Sequence, residues 1–159
     1  MGKHDDGNAS NAGDGGNEVG LSADERAALK EHLQEKKKAA RRMSKAEKEA
    51  EAARDVVAKI ADMPDGDRAI AERVHAVVTA AAPALAPKLW YGMPAYALDG
   101  KIVCFFQASS KFSVRYSTLG FNDPAKLDDG SMWATAFALT VVTPAIESRI
   151  AALVKTAVG

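Results

Sequence analysis

The sequence predicts an α+β fold: an antiparallel β-sheet with helices packed on one face, preceded by a long charged N-terminal helix. Three observations lead there. Residues 22–61 contain neither Gly nor Pro and are dominated by Ala, Glu, Lys and Arg, the composition of a solvated helix. Residues 62–159 hold every aromatic side chain, and short apolar runs there are separated by tight turns. A helical pattern stands before those runs and another after them.

The elements follow in order. Residues 1–20 are rich in Gly, Asn and Asp, with little to bury, and are expected to be a disordered tail. They contain no apolar segment, so no secretory leader is expected. Residues 21–61 form a charged helical arm, started by Ser22 and Glu25 at capping-box spacing. Ser44 and Glu47 repeat that spacing, which leaves open one continuous helix or a break near Met43. Met43, Ala46, Ala50, Ala53, Val57 and Ile60 follow heptad spacing with mostly small residues. Two uses of the arm are open: docking of its end, Val56 to Ile60, on the domain with the rest solvated, or weak self-association along the seam.

The third segment, residues 62–159, is read as the folded domain. Met63-Pro64-Asp65-Gly66-Asp67 starts a helix whose apolar positions are Ile70, Val74, Val77, Val78 and Ala81, and Pro83 stops it. Strands are expected at Leu89–Tyr91 and Ala95–Leu98, joined through Gly92-Met93-Pro94, and Asp99-Gly100 is a two-residue hairpin turn. The apolar run Ile102–Gln107 reads as a central strand. Lys111–Ser117 alternates and reads as another, with Phe112, Val114 and Tyr116 on one side. Asn122-Asp123-Pro124 suggests a short helical turn, and Trp133–Val142 one or two more strands. Thr143-Pro144 caps a last helix with Ile146, Ile150, Leu153 and Val154 on its apolar face.

Composition narrows the function classes. Lys plus Arg and Asp plus Glu balance at 21 each, so the chain lacks the positive excess of a globally basic nucleic-acid or membrane-surface binder. No stretch has the roughly 18 consecutive apolar residues of a membrane span. Cys104 is the single cysteine, which excludes an internal disulfide and multi-cysteine zinc sites, and a reducing cytoplasm is the expected compartment. There is no phosphate-binding loop, dinucleotide fingerprint or nucleophile elbow. Cys104 lies between Val103 and Phe105 and reads as a buried thiol. Of the histidines, His4 and His32 sit outside the domain, and His75 follows Glu72 at helical i, i+3 spacing.

Two surface clusters remain. Lys36, Lys37, Lys38, Arg41, Arg42 and Lys45 make a positive run on the arm, suited to a polyanion or to a solvated face offset by neighbouring glutamates. Lys88, Tyr91, Met93, Tyr96, Arg115 and Trp133 surround the Gly-Met-Pro turn with aromatic and cationic groups. Such a set is able to hold a small anionic or planar ligand.

The string Trp90-Tyr91-Gly92-Met93-Pro94-Ala95-Tyr96, followed by Asp99-Gly100-Lys101 and an apolar strand, resembles the YdhG-like family, grouped with the YjbR/CyaY-like, frataxin-like folds. Met63-Pro64, Ala82-Pro83, Tyr116 and Leu119-Gly120-Phe121 extend the resemblance over residues 62–159. It implies a compact α–β sandwich. It also implies an iron-chaperone role through acidic surface residues, for which this chain offers Asp65, Asp67 and Glu72, with His75 beside them. The leading expectation is a non-enzymatic module that binds a small ligand or a partner near the Tyr-Gly-Met-Pro turn. The alternatives are a frataxin-like iron-binding protein and an adaptor whose arm meets protein or nucleic acid.

Overall fold

The structure, a computed structural model, describes residues 22–159; the readings of residues 1–20 and of His4 lie outside them. The chain divides into two compact units at Arg41/Arg42. Helix α1 spans Ala23–Ala61, with no break at Ser44. Its Glu25 N–H donates to Ser22 Oγ at 3.2 Å, one half of the expected capping box. In the second unit, the end of α1 contributes Val56 and Ile60 to the core, while Met43 and Val57 of the heptad seam are exposed. The buried stripe is therefore offset from the seam by one position at Val56/Val57.

Helix α2 (Asp65–Ala81) begins immediately after Pro64, whose fixed φ of −54° suits a helix entry. It buries Ala71, Val74 and Val78, a single i, i+3, i+4 stripe. Five strands follow in chain order as an antiparallel meander: β1 (Ala86–Trp90), β2 (Met93–Leu98), β3 (Lys101–Gln107), β4 (Ser117–Phe121) and β5 (Ala136–Leu139). Helix α3 (Pro144–Val158) closes the domain, and its Ile146 N–H donates to the capping Thr143 Oγ1 at 3.3 Å.

Two adjacent hairpins build the first half of the sheet. Asp99 (φ 49°) and Gly100 (φ 80°) make the second turn, closed by the pair Leu98 and Lys101. The first turn is Tyr91 (φ 50°) and Gly92 (φ 73°), closed by Trp90 and Met93. Positive φ at both central residues is the type I′ geometry that matches strand twist. The turn therefore comes one residue earlier than the expected Gly92-Met93-Pro94, and Met93 and Pro94 already belong to β2.

Three further expectations shift. Lys111–Ser117 is not a strand: Ser109–Lys111 form a 3₁₀ turn, and β4 begins only at Ser117. The alternation there is broken by Ser113 at φ 52°, and Phe112 and Val114 remain exposed. At Asn122-Asp123-Pro124 the chain makes one turn, with Ala125 N–H donating to Asn122 O at 2.9 Å, and no helix. Of Trp133–Val142, only four residues pair as β5.

Sheet register decides which side chains meet the helices. Tyr96 pairs with Cys104, Cys104 with Phe121, and Phe106 with Leu119, so these share the inner face. They form one core with Val74 and Val78 of α2 and Ile150 and Val154 of α3. Full burial of one such side chain contributes about 1.5–3 kcal/mol. Between Tyr96 and Ala97 the register slips, leaving Val103 as a bulge residue that is also buried. On the outer face, Phe105 lies across the paired Gly120, where a Cβ would sit 2.2 Å from the ring. Trp90 packs against Phe105 with ring centroids 5.2 Å apart. Gly120 is thus required by close approach rather than by a turn.

Candidate functional site

A cavity of about 210 Å³ opens beside the Tyr91–Gly92 turn. Its apolar wall is Met63, Met93, Pro94, Phe106 and Ala108, and its polar rim is Lys59, Asp62, Ser110 and Lys111. Each part has a local cause. Lys59 sits in the last turn of α1 between the buried Val56 and the buried Ile60, so its backbone is anchored while its side chain reaches outward. Met63 and Pro64 belong to the short connector into α2, where Met63 N–H donates to Ile60 O at 3.1 Å. Gly92 brings the hairpin tip close. The point its Cβ would occupy lies 3.1 Å from Lys111 Nζ and 4.0 Å from Lys59 Nζ. The two ammonium groups therefore converge over a residue with no side chain.

Lys111 is placed by a buried carboxylate. Asp67, in the first turn of α2, is only 7% exposed. It accepts hydrogen bonds from Ser109 Oγ at 2.6 Å, from Ser110 N–H at 3.1 Å and from Ser117 Oγ at 3.4 Å. Burial pushes its pKa up, but the hydrogen bonds from Ser109, Ser110 and Ser117 outweigh it, so the carboxyl titrates below its ordinary value of 3.8. This ionised group ties the 3₁₀ turn to α2 and to the start of β4. Lys111 projects from the last residue of that turn.

Of the ligand cluster expected from sequence, only Met93 lines this cavity. Tyr91 is at the hairpin tip, 78% exposed, with its ring edge-on to Trp90 at 5.1 Å. Tyr96 is fully buried on the inner face. Lys88 is exposed on β1 and pairs with Ala95, on the opposite face from Tyr96. Arg115 stacks on the adjacent Tyr116 ring at 5.3 Å. Trp133 lines a separate cavity of about 230 Å³ with Phe121, Asn122, Asp123 and Asp128. Sequence reasoning reached the turn but missed Lys59, Asp62, Met63, Phe106, Ala108, Ser110 and Lys111. The one available signal was a tyrosine in a turn position that ordinarily holds Asn, Asp or Gly.

Of the two side chains best suited to proton or nucleophilic chemistry, Cys104 lies in the core and His75 is half-buried on α2. Cys104 is buried, and burial pushes its thiol up to about 12. His75 Nδ1 and the Tyr96 hydroxyl share a hydrogen bond of 2.8 Å. Burial lowers the His75 value below 6.5 and raises that of Tyr96, so both are held neutral at neutral pH.

The residues considered for iron do not converge into a binding set. Asp67 is occupied by the three serines, His75 by Tyr96, and Asp65 pairs with Arg68 at 2.7 Å, with Glu72 4.0 Å from the same guanidinium. Among the described residues, no three His, Cys, Asp or Glu side chains are grouped to hold a metal ion. The basic run on α1 is exposed throughout, and Lys45 lies 3.9 Å from Glu49. No described helix is long and apolar enough to cross a membrane. Comparison with protein-family models, with curated proteins and with solved structures found no match.

Proposed function

We propose that this chain is a non-enzymatic small-ligand-binding module of the YdhG-like kind, and that its site is the cleft beside the Tyr91–Gly92 turn. The observation that carries this reading is the cavity of about 210 Å³ with an apolar wall and two lysines converging at its rim. Concave sites with an apolar lining and a few polar groups are where small ligands bind. Three separate segments meet there: the α1–α2 connector, the first hairpin and the 3₁₀ turn. The non-enzymatic part of the reading is supported by Cys104, which packs in the core, and by the half-buried His75, which is engaged by Tyr96; neither lines the cleft. A cytoplasmic setting belongs to the same proposal, supported by the lone thiol and its burial.

Native mass spectrometry on protein purified gently from its own cells, followed by methionine-methyl NMR, tests the reading. Met63 and Met93 line the cleft; Met43 and Met132 are exposed away from it. A retained mass whose removal shifts Met63 and Met93, with Met43 and Met132 unmoved, is the expected result. A bound molecule that shifts only Met132 or Met43 sinks the assignment of the cleft.

A further inference from the structure

We infer that the cleft is selective for a small organic anion, a carboxylate with a compact apolar body, held between Lys59 and Lys111. This rests on the cleft being the ligand site and names the ligand's chemistry. The rim carries two ammonium groups and a single carboxylate, Asp62. Neither lysine has an ion-pair partner within 4.0 Å among the described residues, whereas Lys45, Arg68 and Arg73 each have one. The two nitrogens are no farther apart than the sum of their distances, 3.1 and 4.0 Å, to the Cβ position over Gly92. Like charges held that close repel, and an anion placed between them converts the repulsion into two attractions.

The positions are also prepared in advance. Lys59 stands on a helix end fixed in the core by Val56 and Ile60, and Lys111 on a turn fixed by Asp67. Little backbone ordering is then left for the ligand to pay. Below the ammonium groups lie Met93, Pro94, Phe106 and Ala108, which exclude a fully hydrated ion such as phosphate and favour an apolar body. A cavity of about 210 Å³ sits under the ~300 Å³ at which drug-sized sites begin, and it has room for an apolar body the size of that in hexanoate or benzoate.

The test titrates the full chain with hexanoate and benzoate, with the matched amides hexanamide and benzamide, and with inorganic phosphate, reading the Met63 and Met93 methyl signals. The acids are expected to bind about tenfold or more tightly than the amides, the difference a charge-assisted contact supplies. Phosphate is expected to bind more weakly than either acid. In the Lys59→Gln/Lys111→Gln double variant the acid preference should vanish, while Lys101→Gln, on the second hairpin, should keep it; both replace exposed side chains. Amides that bind as well as the acids overturn the anion assignment and leave the cleft as the site. An acid preference that survives the double variant overturns the role of the two lysines. Absence of any shift with either series overturns the anion assignment, and the cleft is then judged by the retained mass alone.

Discussion

The two hairpins that open the sheet are built on one turn geometry and end in different surroundings. At Asp99–Gly100, among the described residues, no side chain or backbone outside the turn itself lies within 4 Å of the place a Gly100 side chain would take. At Tyr91–Gly92 that place is pressed by Lys111 and neighboured by Lys59, and a cleft opens beside it. The second hairpin uses Asp, which tolerates a left-handed backbone. The first uses Tyr, a bulky residue that rarely adopts φ of 50°. It leaves the ring 78% exposed at the same time. A turn that serves pairing alone takes the unstrained residue; strain retained beside a cleft points to a use of that end of β2.

The largest effect that separates the two ends is expected from Asp67→Ala. It leaves Ser109, Ser110 and Ser117 without their shared acceptor and should cost about 3 kcal/mol in denaturant unfolding. Native hydrogen exchange should rise first over residues 109–117, with the Asp99–Gly100 hairpin unchanged; uniform loss of protection would break the comparison.

Gly92→Ala and Gly100→Ala come next. Each forces an L side chain into the left-handed region and should cost about 1–2 kcal/mol. Only Gly92→Ala should also displace Lys111 and weaken ligand binding, since only there does the new methyl meet a neighbour. Equal effects on binding would show that the turns differ in nothing but position.

Exchange of the first turn residues should act in opposite senses by about 1 kcal/mol or less: Tyr91→Asn stabilises and Asp99→Tyr destabilises. Thermal unfolding of the two variants measures it, and a destabilising Tyr91→Asn would mean that the Tyr91–Trp90 ring contact outweighs the backbone strain.

The pH dependence sharpens the contrast most gently. Asp67 and His75 both have folded-state values below their ordinary ones, of 3.8 and 6.5. The unfolded chain therefore binds protons first as pH falls, and each contribution is present above the ordinary value and lost below it. The His75 contribution should fade below about pH 6.5, and that of Asp67 only below about pH 3.8. His75→Gln should flatten the stability curve near pH 6 while the slope at lower pH remains.

Much of the fold was legible in the sequence. Asp99-Gly100 demanded a primed turn, Thr143-Pro144 a helix start, and the apolar run 102–107 a covered strand, because each is set by neighbours in sequence. Lys111–Ser117 was misread because alternation is a local signal. The bonds that hold Ser109 and Ser110 in a 3₁₀ turn come from Asp67, which is remote in the chain. Tyr96 was misassigned to a ligand surface for a similar reason, since register rather than residue type sends it inward to His75.

By itself the sequence determined the helical arm, the apolar stripes of α2 and α3, the Asp99–Gly100 turn and the burial of Cys104. These follow from backbone preference and hydrophobic period, which act over a few residues. Tertiary structure alone decided the cleft. Lys59 and Lys111 come from a helix before the sheet and a turn within it, and only the packing of Val56 and Ile60 and the bonds of Asp67 bring their charges over Gly92.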